Sequence, residues 1–201
     1  MQSIDITIKN RIFSSGRGSL FTPSRFLDLG GRAAVDKVLS RLAAEGTIRR
    51  LARGLYDYPK KHPVLGVLQP APEKVARALA QRDAVQLQPT GAYASNLLGL
   101  SEQVPAKIVF LTNGPSRTVK IGRMEIILRQ TTPRNVATAG RLSGLLIQAF
   151  RHLGKEHITL ERIVYLRRKL PPAERAKLIR DLRYAPEWMH SVFRELAREG
   201  D

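Results

Sequence analysis

Residues 32–59 read RAAVDKVLSRLAAEGTIRRLARGLYDYP, and their spacing decides the fold of the N-terminal third. Val35, Val38, Leu39 and Leu42 fall at i, i+3, i+4 and i+7, so a helix over Arg32–Glu45 carries a single apolar stripe. Arg32, Asp36, Lys37, Ser40 and Arg41 turn away from that stripe. Gly46 stops the helix. Thr47 to Leu51 and Leu55 to Tyr58 are β-like and meet at Ala52-Arg53-Gly54, and Pro59 ends the second strand. A helix followed by a hairpin with a basic turn is the second half of a winged helix.

The first half lies upstream. Ile4, Ile8 and Ile12 share one face of a helix over residues 3–14, although the alternation Ile4, Ile6, Ile8 also fits a strand. Residues 14–18 break the chain, and Ser19-Leu20-Phe21 is extended. Thr22 as N-cap and Pro23 at the first helical position open a short helix. Gly30-Gly31 end it, supplying the positive φ of a tight turn. Helix, turn, helix and hairpin follow in the order of a winged helix-turn-helix.

Downstream, residues 63–72 read as a linker with three prolines and Gly66. Helices are expected over 73–82 and 90–98, and strands over 107–112, 117–121 and 124–129. The last two strands join through Gly122-Arg123, a two-residue hairpin turn. Helices follow over 141–153, 159–170, 172–183 and 186–198. The expected fold class is α+β: a winged helix-turn-helix in 1–62, a small mixed α/β domain in 63–155, and a C-terminal helical segment in 156–201.

Charge narrows the function. Thirty-four Lys and Arg against 17 Asp and Glu give a net charge of +17. Residues 1–62 hold 12 basic and 5 acidic side chains, residues 63–155 hold 12 and 4, and residues 156–201 hold 10 and 8. The excess therefore lies in the first three quarters, not in a basic tail. A field of this sign attracts polyanions, and nucleic acid is the first candidate. Cysteine is absent, which excludes disulfides, thiolate zinc sites and thiol catalysis. Met1 to Asn10 lacks the pattern of a signal peptide, and no stretch reaches the ~18 apolar residues of a membrane helix. A cytoplasmic protein with no membrane contact is the expectation.

Three constellations carry candidate chemistry. In a helix-turn-helix the second helix enters the major groove, which places Arg32, Lys37, Ser40 and Arg41 near base edges. Arg49, Arg50 and Arg53 of the hairpin then sit over adjacent phosphates or the minor groove, with Lys60 and Lys61 extending the footprint. The plain alternative is an amphipathic helix with a solvated face. The second constellation opens at Pro89-Thr90-Gly91. Free N–H groups at a helix start can hold an anion. No Lys stands where a phosphate loop needs one, so an N-capped helix packing Tyr93, Leu97 and Leu98 inward is the favoured reading. The third is a set of polar loops on a basic sheet, around Asn113, Gly114, Arg117, Lys120 and Arg123, continuing to Thr131–Asn135. They suit phosphate or protein contact and plain turn chemistry equally. Thr90, Tyr93, Asn96, Arg117 and Lys120 are the candidate partner-binding residues. No acidic pair is spaced to hold Mg²⁺ and the four histidines are scattered, so no enzyme activity, metal or cofactor is expected.

Several stretches together resemble AbiEi-type antitoxins of type IV toxin-antitoxin systems. They are Phe21-Thr22-Pro23-Ser24, Arg32-Ala33-Ala34-Val35-Asp36-Lys37, Leu39-Ser40-Arg41-Leu42, Gly46-Thr47-Ile48-Arg49-Arg50 and Arg53-Gly54-Leu55-Tyr56-Asp57-Tyr58-Pro59 in the winged helix. In the middle region they are Pro89-Thr90-Gly91-Ala92-Tyr93-Ala94, Asn96-Leu97-Leu98-Gly99-Leu100 and Gln103-Val104-Pro105-Ala106-Lys107. Gly31 departs from the Ser that caps the groove helix in that pattern. The resemblance implies the product of the upstream gene of a two-gene operon, beside a nucleotidyltransferase-like toxin. It implies a repressor that binds inverted repeats of double-stranded DNA in its own promoter. It also implies toxin neutralisation through the second domain without a stable complex. Carried over by position, Arg32, Lys37, Ser40 and Arg41 form the groove helix and Arg49, Arg50 and Arg53 the wing, while Tyr93 and Asn96 belong to the antitoxin half. The competing expectation is a basic protein- or RNA-interaction module with a winged helix and no toxin partner. The sequence leaves the oligomeric state open.

Overall fold

The computed structural model describes residues 3–103 and 105–198. Val104, within the Gln103–Lys107 motif, lies outside the described residues. The chain is mixed α+β and divides into two compact units, residues 1–84 with 119–124, and residues 85–118 with 125–201.

The first unit begins with α1 (Ile4–Ser14), whose N-terminal N–H of Asp5 is accepted by the Ser3 hydroxyl at 3.3 Å. Ile8 and Ile12 are fully buried and Ile6 is half exposed, so period four wins over alternation. Next come β1 (Leu20–Phe21), a 3₁₀ turn over Pro23–Phe26, α2 (Arg32–Ala44), β2 (Arg49–Ala52) and β3 (Leu55–Asp57). The strands form an antiparallel sheet in the order β1-β3-β2. This order and pairing are compatible with a winged helix-turn-helix. Val35, Val38, Leu39 and Leu42 of α2 pack with Ile8, Ile12, Phe21, Phe26, Ile48 and Tyr56 into one core. Each such side chain contributes about 1.5–3 kcal/mol on burial.

Three details of the turn before α2 depart from expectation. Thr22 occupies the N-cap position but makes no side-chain bond to the backbone, and its hydroxyl pairs with that of Ser24 at 2.6 Å. The helix it opens is one 3₁₀ turn that stops at Phe26, before the glycines. Neither Gly30 nor Gly31 has a positive φ. Gly31 is the extended N-cap of α2. A Cβ on Gly30 would meet the terminal methyl of Ile4 of α1, which would have to move aside.

The expected linker is partly structured. β4 (Lys61–His62) pairs with β5 (Gly66–Val67) in a small antiparallel hairpin, and α3 (Pro72–Asp83) follows. α3 packs beside β1, buries Val75, Ala76 and Leu79, and its Arg82 donates to the carbonyl of Arg53. Residues 63–84 therefore belong with the first unit, and its boundary falls at 84 instead of 62.

The second unit holds β6 (Leu87–Pro89), α4 (Gly91–Leu97), β7 (Lys107–Thr112), β8 (Arg117–Ile121) and β9 (Met124–Gln130). The sheet order is β6-β7-β9-β8, with β6 and β7 antiparallel and β7 and β9 parallel. The far end of β8 and the turn after it group with the first unit. Then come α5 (Pro133–Val136), α6 (Leu142–Leu153), α7 (Leu160–Lys169), α8 (Pro172–Ala176), a 3₁₀ helix over Lys177–Tyr184, and α9 (His190–Ala197). Residues 172–183, expected as one α-helix, thus change type at Lys177. Leu98 from α4's end, Leu146, Ile147 and Phe150 from α6, Leu166, Leu178, Met189, Phe193 and Leu196 share one core. The C-terminal segment is helical, and its buried side chains share the core of this unit.

Candidate nucleic-acid interface

The apolar stripe of α2 points inward, and the remaining positions are left to solvent. Ala33, Lys37, Ser40 and Ala44 fall within about 60° of one line down the outer face, at 100° per residue. All four are exposed. The small side chains on either side of Lys37 let the helix backbone approach a ligand closely. Arg32, at the first position of the helix, lies about 110° round from this line with its Nε 2.8 Å from Asp36, and Arg41, about 70° round on the other side, reaches Asp5 of α1 at 2.6 Å and Glu45 at 3.8 Å. These exposed pairs are each worth about 0.2–1 kcal/mol. Phosphate oxygens can replace the carboxylates at little cost. Lys37 makes no ion pair among the described residues.

A bidentate pair ties α1 to the segment that precedes α2. Arg11 of α1 donates to both carboxylate oxygens of Asp28, at 2.7 and 2.8 Å, and to the carbonyl of Arg25 at 3.1 Å. The hydrogen bond from Arg11 holds the Asp28 carboxyl below the usual carboxylate range, and the same bond raises Arg11. Sequence reasoning missed this pair, because seventeen residues separate its members and each looks like an ordinary surface charge.

The hairpin separates its three arginines into two roles. Arg50 and Arg53 are exposed. Gly54 takes φ +67° in the turn, a conformation that favours glycine. Arg49 is committed elsewhere. Its Nε and Nη2 donate to the two oxygens of buried Asp57 at 3.1 and 2.7 Å, and Nη2 also donates to the Leu68 carbonyl at 3.1 Å. Arg49 therefore leaves the set of DNA candidates. Lys60 and Lys61 are exposed beyond β3.

In the second unit three of the expected partner residues make contacts within the unit. The Thr90 hydroxyl donates to Gln148 Oε1 at 2.8 Å and caps no helix. Tyr93 is buried, with its ring 5.8 Å from that of Phe110. Asn96 donates to the Ser101 carbonyl at 3.1 Å. These three make contacts within the unit; Tyr93 is buried, while Thr90 and Asn96 are half-buried. Arg117 is half-buried on β8, while Lys120 is exposed. The polar loops are occupied by turn chemistry: Asn113 accepts from the Gln86 N–H at 2.8 Å and Thr112 from that of Gly114 at 3.0 Å.

Among the described residues no group of three or more His, Asp or Glu is placed to hold a metal ion. No helix of the described residues is long and apolar enough to cross a membrane.

Residues 7–174 match the model of DUF6088, described as a family of unknown function, and the chain belongs to that family. No curated protein matches it.

Proposed function

We propose that this DUF6088 member is a sequence-specific, double-stranded DNA-binding repressor that acts in the cytoplasm on its own promoter. The observation that carries this reading is the outer face of α2, where Ala33, Lys37, Ser40 and Ala44 stand clear of the core, with Arg41 and Arg32 exposed on its two flanks. In the major groove, Lys37 and Arg32 reach guanine edges and Ser40 a base or phosphate. Arg50 and Arg53 on the hairpin meet backbone phosphates, which fix register without reading sequence. The resemblance to AbiEi-type antitoxins extends the proposal to a toxin-antitoxin operon with a nucleotidyltransferase-like toxin and to binding at inverted repeats.

Titration of the protein with the duplex upstream of its reading frame tests this. The expected result is binding at least about tenfold tighter than to a shuffled duplex, with affinity falling steeply with salt. Equal affinity for both duplexes at moderate salt contradicts it.

A further inference from the structure

We propose that the second unit carries a site for single-stranded nucleic acid, built on a ladder of cations along the 3₁₀ helix Lys177–Tyr184. The starting observation is the helix type. Eight residues of 3₁₀ helix is long for a form that seldom exceeds three or four. Three residues complete a turn, so positions three apart eclipse. Lys177, Arg180 and Arg183 therefore stand in one row, about 6 Å apart at 2.0 Å rise per residue. In an α-helix the same three would drift by about 60° per step. Burial follows the period: Lys177, Arg180 and Arg183 are exposed, while Leu178 and Asp181 are buried and Tyr184 half-buried.

The row lines a cavity of about 370 Å³ whose walls are Arg141, Lys177, Arg180, Asp181 and Arg183. The acidic groups there are already engaged. Asp181 accepts from Arg141 Nη1 at 2.8 Å and from the Ser143 hydroxyl, and Glu174 pairs with Lys177. Arg180 has no ion pair among the described residues. Arg183 lies 4.9 Å over the ring of Tyr184, and Arg134 donates to its carbonyl at 3.3 Å.

These features select the ligand. Every wall residue is charged and four of the five are cationic, so the wall attracts a polyanion. A concave site suits one flexible strand better than the convex cylinder of a duplex. A basic groove that tracks the backbone, with exposed guanidinium planes against which bases can stack, suits a single strand held without sequence readout. None of this depends on α2 or the hairpin, so the site stands or falls apart from the promoter reading.

The test uses the full chain and a fluorescein-labelled oligothymidylate or oligouridylate of about 15 nucleotides, followed by anisotropy. The R180E/R183E variant, whose side chains are exposed, is expected to bind at least about tenfold more weakly, with a salt slope lower by about 1.4 for two lost phosphate contacts. K155E/R168E makes the same change in net charge at exposed positions outside the cavity, and is expected to stay within about threefold of the parent. Equal weakening by both variants would show that only net charge matters and overturn the site. So would an equal loss of affinity in R180E/R183E for a shuffled duplex of the same length, or displacement of the oligonucleotide by polyglutamate of equal charge.

Discussion

Arg49 and Asp57 face each other across the first hairpin, and one guanidinium holds both oxygens of a buried carboxylate. The pairing depends on a register shift. Ala52 pairs with Leu55 across the turn, so a regular ladder would bring Arg50 opposite Asp57. The irregularity between Arg50 and Ala52 moves the register by one, so that Arg49 meets Asp57 and Arg50 meets Tyr56. One arginine becomes part of the fold and its neighbour is released to the surface.

Truncating the two arginines should therefore have opposite effects. Arg49→Ala leaves Asp57 buried without its partner and is expected to cost about 2–3 kcal/mol in urea unfolding. That lies below the figure for a wholly buried pair, because Arg49 keeps part of its side chain in solvent. Arg49→Lys should not restore it fully, since an ammonium cannot make the two-pronged contact. Arg50→Ala should change stability by no more than about 0.5 kcal/mol and should weaken duplex binding. The reverse ranking would show that the ladder is regular.

Gly30→Ala places a methyl group against Ile4. The obstacle is the end of a flexible side chain, so the cost is expected at the low end of overpacking, about 1 kcal/mol. Combining it with Ile4→Ala removes the obstacle, so the two changes should be less than additive in a double-mutant cycle. Strict additivity would place α1 elsewhere.

The Arg11–Asp28 pair gives a pH signature. Asp28 has a folded pKa below its unfolded value. Its contribution is therefore fully present above the unfolded carboxylate pKa, about 3.9, and is lost as pH falls through the folded value. Asp28→Asn removes that dependence. Urea midpoints from neutral pH to about pH 3 should show the parent's advantage over the variant shrinking only on the acid side. An advantage that stays constant down to pH 3 would contradict the pair.

What could be read from the sequence was the part set by local period. The stripe Val35, Val38, Leu39 and Leu42 gave α2, and Gly122-Arg123 gave the hairpin between β8 and β9. Contacts between distant residues were not legible. Leu87–Pro89 is too short to announce a strand, and the role of Thr90 depends on Gln148, fifty-eight residues away. The single-residue bulge that sorts Arg49 from Arg50 has no sequence signal of its own, because both positions carry the same side chain. The cation row at 177, 180 and 183 becomes visible only once the helix is known to be 3₁₀, since α-helical spacing scatters it.

The central claim is that α2 reads DNA and the hairpin grips it, and Lys37 and Arg53 separate the two. Affinities of the parent, Lys37→Glu and Arg53→Glu for the upstream duplex and for a shuffled duplex, across a salt series, form the most direct measurement. Lys37→Glu should collapse the preference for the upstream duplex toward unity. Arg53→Glu should weaken both duplexes alike and lower the salt slope by about 0.9. A preference that survives Lys37→Glu unchanged, or a parent protein with no preference to lose, would contradict the claim.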